Sequence, residues 1–140
     1  MDNLVELTVE ECLTLLRRKD VGRIAMTTPA GLRILPVNYS VHEEQVVFRT
    51  LPYGEIANNV VDAEVAFEVD ELDESLRNGW SVMAAGPCRR IEDPAQVQLV
   101  RATDDPEPWA EGQRNLYFRI DWTTLTGRQL GLPGRPRLTD

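Results

Sequence analysis

The sequence predicts a mainly β domain, a small antiparallel barrel of six strands carrying three short helices. Three observations predict it. Apolar and polar side chains alternate in one short segment after another, as they do along half-buried strands. Turn signals built on Gly, Pro and Asn separate several of those segments. Helical spacing is confined to three brief stretches and no repeat runs through the chain, which favours a closed or partly closed sheet over a layered α/β fold. At 140 residues the chain makes one domain, expected to bury roughly two-thirds of the surface it exposes when unfolded. That domain spans residues 1–130, and the Gly- and Pro-rich residues 131–140 read as a flexible tail.

Leu7-Thr8-Val9-Glu10-Glu11 opens the first helix with a capping-box pattern, in which Thr8 accepts from the Glu11 amide and the Glu11 carboxylate reaches back. Val9, Cys12, Leu13 and Leu16 then share one face for docking, and Arg17, Arg18 and Lys19 suit the helix end. Residues 21–28 alternate, with Ile24 and Met26 on one side. Pro29-Ala30-Gly31 turns the chain into a second strand, residues 32–41, with Leu35, Val37, Tyr39 and Val41 on one face. Pro36 has no amide donor for a central ladder, so it marks an edge or a bulge. His42-Glu43-Glu44-Gln45 is the hairpin connection to the third strand, residues 46–50. Leu51-Pro52-Tyr53-Gly54 breaks the pattern, and residues 55–61 read as a short helix. Val65, Phe67 and Val69 face inward on the fourth strand, and the acidic residues 71–79 are expected to form a loop turning at Asn78-Gly79. The fifth strand, residues 80–91, bends at Gly86-Pro87. Asp93-Pro94 caps the last helix, which runs to about Ala102 and hands over to a loop at residues 103–112. Leu116, Phe118, Ile120 and Trp122 mark a sixth strand that continues toward Thr126-Gly127-Arg128.

Composition narrows the function. A formal net charge of −8 argues against non-specific attraction to nucleic acid or to an anionic membrane. Cys12 and Cys88 belong to no C-x-x-C pair, so neither a zinc site nor a disulfide framework is indicated. No basic leader precedes an apolar run, and a soluble cytoplasmic protein is expected. P-loop, G-x-G-x-x-G and H-E-x-x-H motifs are absent, and the single histidine, His42, sits in a turn with no nucleophile pattern beside it.

One local pattern points to a ligand. With Phe48 turned into the core, Arg49 points out of it, because successive strand side chains take opposite faces. The Thr50 hydroxyl and Gly54 follow within a few residues, so this is where an anion would bind. Trp80 and Trp109 are large enough to stack on a cofactor or to serve as core and interface residues.

Taken together, the opening helix, Val21-Gly22-Arg23-Ile24-Ala25, Pro36-Val37-Asn38-Tyr39, Val47-Phe48-Arg49-Thr50, the Gly54 turn, Val65-Ala66-Phe67-Glu68-Val69-Asp70, Gly79-Trp80-Ser81-Val82 and Thr126-Gly127-Arg128 carry a resemblance. The chain resembles the pyridoxamine 5′-phosphate oxidase-like, FMN-binding split-barrel family across residues 4 to about 130. The resemblance implies a six-stranded split barrel that pairs into a homodimer, with a flavin in each of two clefts between subunits. It implies that Pro36, Val37 and Asn38 face the flavin ring through backbone groups. Arg49, Thr50, Tyr53 and Gly54 would hold the phosphate tail. Many flavin-binding relatives place a lysine just after the Gly54 position, where this chain has Glu55. The arginine-rich ending of true pyridoxamine-phosphate oxidases is not matched by Arg135-Pro136-Arg137, so that activity is set aside.

The function expected is a flavin-dependent oxidoreductase that transfers hydride to or from a small organic substrate, with FMN as cofactor and no metal. Such an enzyme needs no catalytic set of its own, since the cofactor carries the hydride chemistry. The alternatives are a deazaflavin-dependent reductase on the same fold and a non-catalytic binding dimer.

Overall fold

The computed structural model describes residues 4–131. Among them run β1 (Leu4–Glu6), α1 (Val9–Leu16), β2 (Val21–Thr28), β3 (Gly31–His42), β4 (Gln45–Thr50), α2 (Glu55–Val60), β5 (Glu64–Asp73), β6 (Asn78–Arg90), α3 (Pro94–Thr103), β7 (Leu116–Ile120) and β8 (Thr124–Leu130). Antiparallel pairing passes from β2 through β3, β4, β7, β6 and β5 and returns to β2, so six strands close a barrel. β8 and β1 extend the sheet from the other half of β6. The expected six-stranded barrel is present, with two further strands outside it. Apart from Gly131, the expected tail at residues 131–140 lies outside the described residues.

Alternation explains the core. Ile24, Met26, Tyr39, Phe48, Phe67 and Phe118 all turn into one buried cluster. Phe48 stacks on Phe118 with ring centroids 5.5 Å apart, and Tyr39 meets the edge of Phe67 at 4.9 Å. α1 covers one end of this core with Cys12, Leu13, Leu15 and Leu16. Its capping box is formed, with Thr8 N donating to Glu11 Oε1 at 2.8 Å and Glu11 N to Thr8 Oγ1 at 3.2 Å. Val9 in the first turn remains 47 % exposed, and Leu15 takes the place expected for it on the buried face. Under α3 a second, smaller cluster holds Val47, Ile91, Val100 and Tyr117.

Three boundaries differ from the sequence expectation. The acidic stretch at residues 71–79 is mostly hairpin: β5 continues to Asp73, and Leu72 pairs with Gly79. Only residues 74–77 turn, closed by Asp73 Oδ1 accepting from Ser75 Oγ at 2.7 Å and from Leu76 N at 3.0 Å. Cross-strand pairing outweighs the acidic composition there. β1 is three residues long, too short to show a period. The sixth strand is divided into β7 and β8 by a corner at Asp121, Trp122 and Thr123.

That corner follows from β6, whose 13 residues serve two sheets. Its first part pairs with β8, and Cys88, Arg89 and Arg90 pair with β7. Where β6 changes partner, the corner backbone lies directly against Gly86, where an added Cβ would stand 2.5 Å from Asp121 O and 2.8 Å from Trp122 Cα. Asp121 N donates to Pro87 O at 2.9 Å and Thr123 N to Ala85 O at 2.8 Å, so the chain changes sheet without losing its ladder.

At the opposite end of β3, residues 31–38 pair with β2 alone, while Tyr39 and the three residues after it pair with β4. Pro36 therefore sits where β3 has an open edge. Gly86→Ala is expected to lower unfolding stability by about 1–3 kcal/mol through backbone overpacking, read by urea denaturation. An unchanged midpoint would show that the corner yields freely.

Candidate functional site

The open edge of β3 is crossed by residues 104–115, the connection from α3 to β7. Three strand side chains tie this crossing down. Asn38 Oδ1 accepts from Trp109 N at 2.9 Å, and Ser40 Oγ donates to Asp104 O. Arg49 makes the most contacts: its Nε donates to Arg114 O at 2.9 Å, and its Nη1 reaches Pro106 O at 3.3 Å and Asp105 Oδ2 at 3.5 Å. Its guanidinium carbon also lies 5.2 Å from the centre of the Tyr117 ring. Tyr117 OH donates to the other Asp105 oxygen at 2.8 Å. Burial raises the Tyr117 phenol above its ordinary range, which favours this protonated, donating form.

Beneath the crossing lies a cavity of about 110 Å³. Pro36, Val37, Asn38, Arg49 and Thr50 line it, so five of the eight residues singled out from the sequence come together in space. Ile56 closes one side, and the loop contributes Pro108, Ala110 and Arg114. Sequence reasoning missed Arg114, which lies between the loop and the sixth strand and carries no local motif. Its Nε is buried and has no hydrogen-bond partner among the described residues. A buried donor on a cation, without a hydrogen-bond partner among the described residues, thus lines the same cavity as Thr50 and Arg49.

The other three lie elsewhere. Tyr53 is 90 % exposed and does not line the cavity. Gly54 is the N-cap of α2 in ordinary extended backbone, with no side-chain cap. Trp80 is buried in the main core, and its groove is a separate one beside Glu71 and Asp73. Glu55 is not a lone charge, since its Oε2 is 3.3 Å from Arg33 Nη1. Arg23 is engaged too, at 3.2 Å from Glu68 and 3.6 Å from Asp70. Among the described residues no cluster of His, Cys, Asp or Glu has the makings of a metal site. His42 is held by a 2.8 Å contact from its Nδ1 to Asp104 Oδ2, a pairing its position in the turn gave no hint of.

Ile34, Ala25, Ala66 and Ala85 lie in register across β3, β2, β5 and β6. Leu32 and Met83 flank that row, 81 % and 39 % exposed. Beside it Glu68 and Asp70 share Arg23. Burial, then the hydrogen bond and charge of Asp70, push the Glu68 carboxyl up to about 7 against the pull of Arg23.

A family model described as pyridoxamine 5′-phosphate oxidase matches residues 8–129. An uncharacterized protein of Mycobacterium tuberculosis, Rv0080, is 34 % identical over 129 residues, spanning 89 % of this chain and 84 % of its own. The FAD binding protein from Mycobacterium smegmatis superimposes with a TM-score of 0.77 at 27 % identity, covering 91 % of this chain and 99 % of that one. A conserved protein of unknown function from Corynebacterium diphtheriae, DIP1874, gives 0.75 at 28 % identity, covering 92 % and 99 %.

Glu68 binds its proton more tightly folded than unfolded, so its stabilising contribution is complete below the ordinary carboxylate range and is lost as pH rises through about 7. Across that window Glu68→Gln is expected to lose less stability with rising pH than the parent protein. Urea titrations at several pH values read the difference, and parallel curves would contradict the shift.

Proposed function

We propose, for a chain that belongs to the pyridoxamine 5′-phosphate oxidase family, that it is a flavin-dependent oxidoreductase working as a homodimer. The observation that carries this reading is the convergence of Pro36, Val37, Asn38, Arg49 and Thr50 on one cationic pocket at the open edge of β3. FMN is the first-choice cofactor, because its single phosphate monoester matches one small pocket lined by two arginines. FAD is the second reading, favoured by the FAD-binding relative from Mycobacterium smegmatis.

Size supports the dimer reading. Ligand pockets for molecules of this class enclose roughly 300–1,000 Å³, and the cavity here is about 110 Å³. It accommodates a phosphate group, so the flavin ring is proposed to lie outside it, on the side of β3 where Pro36 is exposed and Val37 is buried. A second subunit then supplies the other wall. The row of Ile34, Ala25, Ala66 and Ala85, with Leu32 and Met83, is the apolar face proposed to meet it.

The bound flavin would supply the hydride chemistry for a small organic substrate. The protein's part is to position and exclude: the open strand edge orients the ring, and the arginine pocket fixes the tail. Two buried free thiols agree with a reducing cytoplasmic setting.

The test is the visible spectrum of the purified protein followed by titration with FMN, FAD and a deazaflavin, with light scattering on the same samples. Saturable binding of one flavin per subunit in a dimer is expected, together with turnover when reduced nicotinamide and a small acceptor are added. Binding without turnover would favour the non-catalytic dimer. Preference for the deazaflavin would replace FMN, and no binding at all would remove the flavin reading.

A further inference from the structure

We infer that Arg114 is the guanidinium that receives the flavin's phosphate monoester, and that Arg49 is a positioning residue that holds Arg114 over the pocket. This assignment rests on the flavin reading above and divides the work between two arginines that line one cavity.

Arg49 is already committed. Its Nε and Nη1 donate to Arg114 O, Pro106 O and Asp105, and its guanidinium lies over Tyr117. Those bonds fix the backbone of the crossing loop at two carbonyls. Arg114 is in the converse position. Its backbone oxygen is held at 2.9 Å by Arg49, while its own buried Nε has no partner among the described residues. No ion pair found among those residues includes it, and the neighbouring Arg49 is the cation that engages Asp105. The charge left unneutralised in the cavity is therefore positive and belongs to Arg114.

An enclosed N–H on a cation is costly without an acceptor, and the best acceptor is an anion. The cavity is of a size for a phosphate group and not for a ring. Thr50, 3 % exposed, lines the same cavity and adds a hydroxyl. A phosphate monoester offers enough oxygens to meet Arg114 and Thr50 together.

Riboflavin, which is FMN without the phosphate, makes the test. The parent protein is expected to bind FMN more tightly than riboflavin, measured by quenching of flavin fluorescence. Arg114→Gln should weaken FMN by about 10–100-fold, the usual worth of a charge-assisted hydrogen bond, and leave riboflavin within about threefold. The ratio of the two affinities then collapses. Arg114→Lys, which keeps the charge, should restore part of the ratio and serves if the glutamine variant fails to fold. Arg49→Gln should lower the same ratio and also speed amide exchange across residues 105–114, which Arg114→Gln should not.

An unchanged FMN-to-riboflavin ratio in both Arg114 variants would overturn the assignment while leaving the flavin site standing. A collapsed ratio in Arg49→Gln with exchange unchanged would make Arg49 the direct ligand and overturn it likewise. Failure of the parent protein to bind either flavin would instead overturn the flavin reading, and the assignment with it.

Discussion

Arg49 donating to the carbonyls of Pro106 and Arg114 is the contact on which the candidate site depends. Strand alternation sends this side chain out of the barrel on β4, and the loop from α3 to β7 has to pass there to bring Leu116 into register with Thr50. Hydrogen bonds from a charged donor to backbone carbonyls are stronger than neutral ones. They are reinforced by Asp105, which bridges Arg49 and the Tyr117 hydroxyl. With the loop tied at this point, the open edge of β3 acquires a partial roof, and the space beneath it becomes a small, partly open pocket.

The barrel supplies the rigid side of that pocket through two departures from regular pairing. Pro36 stands on the part of β3 that has β2 as its one strand neighbour among the described residues, and the crossing loop, not a strand, lies on its other side. β6 changes partner around Gly86-Pro87, so that one strand closes the barrel through β7 and extends the sheet through β8. That extension widens the flat outer face where alanines stand in register. In the reading proposed above, this pocket is a half-site, and a second copy of the same face is proposed to complete it.

Much of this was legible in the chain and some was not, for identifiable reasons. The capping box at Thr8 and Glu11 and the outward turn of Arg49 each depend on neighbours in sequence, and alternation or local chemistry finds them. Pro36 announced its edge because a missing donor is a local fact. Arg114 could not be found this way, since its significance comes from a loop that folds back across 65 residues of sequence to meet Arg49. The Asp104 contact to His42, 62 residues away, is the same kind of fact. Acidic composition misled at residues 71–73, where pairing with Trp80, Gly79 and Asn78 outweighs it. Trp80 and Tyr53 show the limit of residue type as a guide: one aromatic is buried in the core and the other stands in solvent.

The most direct measurement is a crystal structure of the protein grown with FMN. The account predicts one flavin per subunit, its phosphate against Arg114 Nε and Thr50, its ring along residues 36–38, and a second subunit closing the cleft across Ile34 and the alanine row. A flavin bound with its phosphate away from Arg114, or one enclosed by a single subunit, would contradict it.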